Sequence, residues 1–224
     1  MVTVEPVEAI VASATLIRSL KPPRDAFDNP RFNRPTGGRV VPLNEEFDHV
    51  YGHLALWKSK HVTKKVPPPR DDDFSSFYTG GNVLCSDGTY VPVGRAFIGG
   101  DHPDVHLAAQ AALDCYTATS LAWADIRVGT DKFGIWYAGV TRPGISEELV
   151  YAARASGISG DWRPINGRRR LIAALSSNTR GFEVYEEGAA DDDCALIASA
   201  GLPPESEDLE VIEPEQLEVS TGPA

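Results

Sequence analysis

Asn166-Gly167, set between the strand-like runs Ile158 to Ile165 and Arg168 to Ser176, restricts more than any other feature how this chain can fold. A two-residue hairpin turn of type I′ needs positive φ at both central positions, and Asn-Gly tolerates that best. The two runs are therefore expected to be antiparallel neighbours. The same logic places a hairpin over residues 82 to 98 around Asp87-Gly88, and another in which Trp123 to Val128 meets Phe133 to Val140 across a Gly129–Lys132 turn. An earlier strand spans Val50 to Trp57. Helical patterns cover residues 104 to 122 and 146 to 156. In the second, Ser146 supplies a polar cap, Glu147 and Glu148 an acidic first turn, and Leu149, Val150, Ala152, Ala153 and Ala155 an apolar face, with Gly157 expected as the stop. Sequential hairpins without βαβ units imply an α+β fold, an antiparallel sheet or barrel with helices over its openings or one side.

The chain's ends differ from its middle. Residues 1–46 hold one helix-like run, Val7 to Leu20, and then Lys21-Pro22-Pro23 and a Pro-, Asn- and Gly-rich stretch to Gly38, which reads as an arm. Residues 184–224 turn acidic and Pro-rich, with Asp191-Asp192-Asp193 and a series of glutamates, and read as a tail. Residues 47–183 remain as one domain, long enough for a sizeable core. No run of about 18 apolar residues occurs and the N-terminus lacks the order of a signal peptide, so neither a membrane span nor export is expected. Three scattered cysteines, Cys85, Cys115 and Cys194, suit a reducing compartment. The formal net charge of −11 argues against nucleic acid. Local basic clusters at Lys58 to Lys65 and Arg168-Arg169-Arg170 read as solvated faces.

Ser159 begins a paired strand directly after a helix, where a side chain is held firmly. As a nucleophile it needs a base within reach. Of the five histidines, His53 reads as a packed or edge strand residue and His106 as structural. His61, in a basic loop before Pro67-Pro68-Pro69, reads as solvated. His102, in Gly99-Gly100-Asp101-His102-Pro103, sits at a strand-to-helix junction that suits a base. Asp125, an acidic residue among apolar strand neighbours, is the candidate to orient His102; Asp131 reads as part of a turn. The order helix, serine, strand excludes the nucleophile elbow of α/β-hydrolases, which runs strand, serine, helix.

The succession Val50-Tyr51-Gly52-His53-Leu54-Ala55-Leu56-Trp57, Val91-Pro92-Val93-Gly94, Asp101-His102-Pro103, Asp131 to Gly139 and Gly157-Ile158-Ser159-Gly160-Asp161-Trp162 resembles the head (prohead) maturation proteases of tailed phages, in particular the branch from phages of actinobacteria. That family is similar to herpesvirus assemblins. The resemblance implies a small closed antiparallel β-barrel with flanking helices, a serine nucleophile matched by Ser159, and an upstream histidine base matched by His102. It implies a serine endopeptidase that cuts scaffold or capsid-precursor segments, with the major capsid protein as partner, in an oligomer inside the assembling head in the host cytoplasm. No cofactor or metal is expected. Gly160-Asp161 departs from the family pattern, because Asp161 puts a negative charge near the presumed oxyanion position. Two other readings stand beside this one: an inactive relative serving as a structural or decoration protein of the head, and an unrelated binding domain in which Ser159 merely starts a strand.

Overall fold

The computed structural model describes residues 20–184 of the 224. Nearly all of the Val7 to Leu20 run, and the acidic tail from residue 185, lie outside the described residues. Among the described residues, nine strands and two α-helices follow a short 3-10 turn at Arg24–Phe27. The strands are β1 (Arg39–Pro42), β2 (Asp48–Leu56), β3 (Asn82–Leu84), β4 (Tyr90–Pro92), β5 (Gly94–Ile98), β6 (Leu121–Thr130), β7 (Gly134–Thr141), β8 (Gly157–Ile165) and β9 (Arg168–Ser177). Helix α1 (Ala109–Thr119) separates β5 from β6, and α2 (Glu147–Ala155) separates β7 from β8. None of the helices among the described residues is long and apolar enough to cross a membrane.

The fold is α+β, as the hairpin signals require, but the sheet does not close. Seven strands run in the order β1-β2-β7-β6-β5-β9-β8, and β3-β4 forms a separate two-stranded ribbon. The expected closed barrel is therefore corrected to an open sheet whose edges, β1 and β8, are not hydrogen-bonded to each other. Strand β1 is only four residues long and ends at Pro42, which has no N–H to donate; it makes a poor template for closure. Nor is the sheet wholly antiparallel. Helix α2 carries the chain away from β7, and the β8–β9 hairpin docks β9 beside β5 in parallel, with Ala96 opposite Ala174 and Phe97 opposite Leu175. Because β9 is flanked on both sides, Leu171 to Ser176 are all buried.

The arm is not merely linker where it is described. Residues Arg39 to Pro42 add an edge strand to β2, and Ala26 and Phe27 of the 3-10 turn pack with Phe47, Cys85, Val93 and Val140 in a core cluster of their own. The main core gathers Trp123, Leu54, Ile126, Ile135, Phe77 and Leu171.

Local chemistry explains the elements that carry the site. Asn166 and Gly167 adopt φ of 50° and 77° and turn β8 into β9. Ser146 caps α2 by accepting from the Leu149 N–H at 3.3 Å. Gly157 is not the left-handed stop that the sequence suggests: the helix ends on an extended Ser156, and Gly157 is the first residue of β8. Its missing Cβ instead makes room for the Arg180 side chain. Helix α1 starts later than its pattern predicts, because Arg163 draws the carbonyls of Pro103, Asp104 and Leu107 to itself at 2.8, 2.6 and 3.3 Å. Those carbonyls cannot all point along a helix axis, so residues 103–108 stay as a clamped loop.

Candidate active site

Ser159, His61 and His102 line one cavity of about 270 Å³ beside β8. A larger groove of about 700 Å³ next to α2 contains no serine, cysteine or histidine. On β8 the side chains alternate. Ser159, Asp161 and Arg163 are buried while Gly160 and Trp162 are partly open, so the nucleophile candidate and an ion pair share one face of the strand. The bulge between β8 and β9 puts the extra residue, Ile172, on β9 and leaves the alternation of β8 intact.

The chain crosses over Ser159 at Gly181. The Gly181 N–H donates to Ser159 Oγ at 3.2 Å, and the Gly181 carbonyl accepts from the Val62 N–H at 2.8 Å. A methyl group built on Gly181 would touch His61 Nε2 at 3.1 Å and Ser159 Oγ at 3.2 Å, so the imidazole nitrogen and the hydroxyl flank one point. His61 also bridges to Phe182 in an isolated β-pairing, with its ring edge-on to the Phe182 ring. The loop is exposed at Lys58, Lys60 and Thr63 to Val66, as expected, but His61 itself is half-buried and held beside Ser159 by the segment that follows β9. No pattern within residues 58–65 signals this, because the partner lies more than a hundred residues downstream.

The two imidazoles differ in what fixes their hydrogen. Around His61 Nδ1, the N–H groups of Thr63 and Lys64 each point in from 3.3 Å and favour a hydrogen on Nε2. The Thr63 hydroxyl, 3.2 Å away, can accept a hydrogen carried on Nδ1 and so free Nε2 as a base. His102 has one arrangement. Its Nδ1 lies 2.6 Å from the Tyr116 hydroxyl, which donates at 3.0 Å to Asp161. Asp161 also accepts from Arg163 at 2.7 and 2.8 Å. Burial and the neighbouring carboxylate push the Tyr116 phenol far above its ordinary range, so it keeps its single hydrogen and gives it to Asp161. The tyrosine oxygen must then accept from His102, which puts the ring hydrogen on Nδ1 and the lone pair on Nε2.

Asp161 thus has a different place from the one its sequence position suggests. Its charge is matched by the two-pronged Arg163 contact and lies 7% exposed, bound into the support of His102. Asp125 is not in this cavity. It faces the Arg142 guanidinium at 3.4 Å, and its carboxyl is raised by burial against the pull of that arginine and of Arg95. Asp131 belongs to another pair: it caps the Phe133 and Gly134 N–H groups and lies 3.3 Å from His53 Nε2, whose ring is fully buried. Sequence reasoning missed Tyr116 and Arg163. The available signal was the alternation Ser159, Asp161, Arg163, three polar residues on the inward face of a strand.

Burial is the largest influence on both imidazoles and lowers both. For His102 the Asp161 carboxylate opposes it; for His61 the charges of Lys64, His102 and Arg169 add to it. Both rings are therefore neutral at neutral pH, the form a base requires. Activity that needs an unprotonated imidazole should fall only as the pH drops below the ordinary histidine value of about 6.5. Folding stability follows the same sign, since the unfolded chain binds these protons at higher pH than the folded one and gains from acidification. The rate of labelling by a fluorophosphonate against pH checks this; an acid limb centred above about 7 contradicts it.

No protein-family model, no curated protein and no solved structure matches this chain.

Proposed function

We propose that this chain is a serine endopeptidase of phage head maturation, which cuts scaffold or capsid-precursor segments by an acyl-enzyme route. The observation that carries the reading is the convergence of Ser159 Oγ and His61 Nε2 on the Gly181 backbone, in a cavity that also holds His102. The motif resemblance supplies the capsid substrate. In the attack, Ser159 Oγ bonds to the scissile carbonyl carbon while its proton passes to His61 Nε2, in the tautomer whose ring hydrogen is on Nδ1 and is accepted by the Thr63 hydroxyl. The imidazolium then protonates the leaving amine, and water releases the acyl group by the same steps in reverse. In this reading His61, whose Nε2 lies with Ser159 Oγ around one point at Gly181, serves as the base in place of His102. His102 becomes the second imidazole, held in one tautomer by Tyr116, Asp161 and Arg163.

Single replacements separate these roles. His61→Ala should reduce fluorophosphonate labelling of Ser159 by on the order of 10³-fold or more, and His102→Ala by about tenfold. Thr63→Val, which removes the acceptor for a hydrogen on Nδ1, should slow labelling several-fold with Thr63→Ser restoring it. Equal labelling of His61→Ala and the parent protein would return the base to His102 or dismiss the pair.

A second reading, a catalytically inactive head protein, is favoured by one observation: Ser159 is only 4% exposed and its oxygen already accepts the Gly181 N–H. On that reading the parent protein takes up no fluorophosphonate at any pH and is found in finished heads at fixed stoichiometry.

A further inference from the structure

Among the described residues, the rim of the Ser159 cavity carries positive charge without a counter-charge. Lys64 and Arg169 both line it and both are exposed; a third cation of the lining, Arg180, is half-buried with its side chain against Gly157. Among the described residues neither Lys64 nor Arg169 enters an ion pair. The single carboxylate on the wall, Asp161, is taken by Arg163. This local excess runs against a chain of net charge −11, in which Arg170, the neighbour of Arg169, is held by Asp71 and Asp73. The two cations come from basic stretches far apart in sequence, and the fold joins them at one opening. Both act on His61, whose protonation they oppose, so their fields reach the nucleophile's side of the cavity.

We propose that this rim selects acidic peptides: the preferred substrate carries Glu or Asp near the bond to be cut, with that carboxylate between the Lys64 ammonium and the Arg169 guanidinium. Cleavage rests on the endopeptidase reading, whereas recognition of the carboxylate does not depend on it. An isolated positive rim at a partly enclosed opening focuses its field on an incoming anion, and a guanidinium can bind a carboxylate through two parallel hydrogen bonds.

The test uses the full-length Ser159→Ala protein and fluorescein-labelled hexapeptides of alternating Ala and Glu, Ala and Gln, or Ala and Lys, followed by fluorescence anisotropy. The Glu peptide should bind at least about tenfold tighter than the Gln peptide at low salt, with the margin shrinking as salt screens the rim. Lys64→Ala with Arg169→Ala should remove the margin, and Lys64→Glu with Arg169→Glu should shift preference to the Lys peptide. Equal binding of the Glu and Gln peptides, binding of neither, or a margin that survives loss of both cations overturns the proposal. Fluorophosphonate labelling of the parent protein reads the nucleophile separately. Labelling without acidic preference sinks the specificity alone, and acidic preference without labelling sinks the hydrolase alone.

Discussion

On the proposed endopeptidase reading, Ser159→Ala should abolish fluorophosphonate labelling and, on co-expression with the capsid precursor, all trimming of that chain. The expected loss is on the order of 10⁴-fold or more, because no other serine and no cysteine lines the cavity among the described residues. The fold should survive. In the structure Ser159 Oγ accepts one hydrogen bond, from the Gly181 N–H, so its removal costs about 1 kcal/mol of stability and leaves the β8–β9 pairing untouched. A melting transition near that of the parent, measured beside the labelling, separates lost chemistry from lost structure. Trimming that persists in heads assembled with the alanine variant would show that the cut is made by another group.

The largest effect on stability should come from Asp161→Ala. Arg163 is 3% exposed, and Asp161 is its only carboxylate partner among the described residues. Removing that carboxylate strands a buried guanidinium and leaves the Tyr116 hydroxyl without its acceptor, which together cost about 3–5 kcal/mol. Chemical denaturation measures it directly. The double replacement Asp161→Ala with Arg163→Met should recover part of the loss, since no uncompensated charge is then buried, although the loop at residues 103–107 loses its clamp. A single Asp161→Ala protein as stable as the parent would mean that water reaches Arg163 and that the pair supports nothing.

The hairpins were legible because their signals are local. Asn166-Gly167, Asp87-Gly88 and the alternation of each strand act within a few residues, and β2, β6, β7, β8 and β9 follow the expected strands closely, whereas the hairpin expected over 82 to 98 divides into the β3–β4 ribbon and a β5 that joins the main sheet. The parallel β5–β9 contact was not legible, because nothing in either strand's pattern distinguishes a parallel neighbour from an antiparallel one. The open sheet follows from that contact and from the brevity of β1, neither of which periodicity reveals. At the site, Ser159 and His102 were identified from their places at element junctions, and both line the cavity. The sequence makes His61 a solvated loop residue and Asp125 the partner of His102, because contacts between distant segments, which no local pattern carries, decide the place of both. Gly181 and Phe182 hold the first, and Arg142 takes the second.

The alternation of β8 makes the chemistry hostage to alignment. Ser159, Asp161 and Arg163 sit at every second position, so sliding β8 by one residue against β9 would export all three to the opposite surface at once. What prevents that slip is a pair of residues at the far end of the hairpin, Asn166 and Gly167, which touch neither the cavity nor any group in it. Loss of their backbone geometry could silence this protein while its amount of sheet stayed the same.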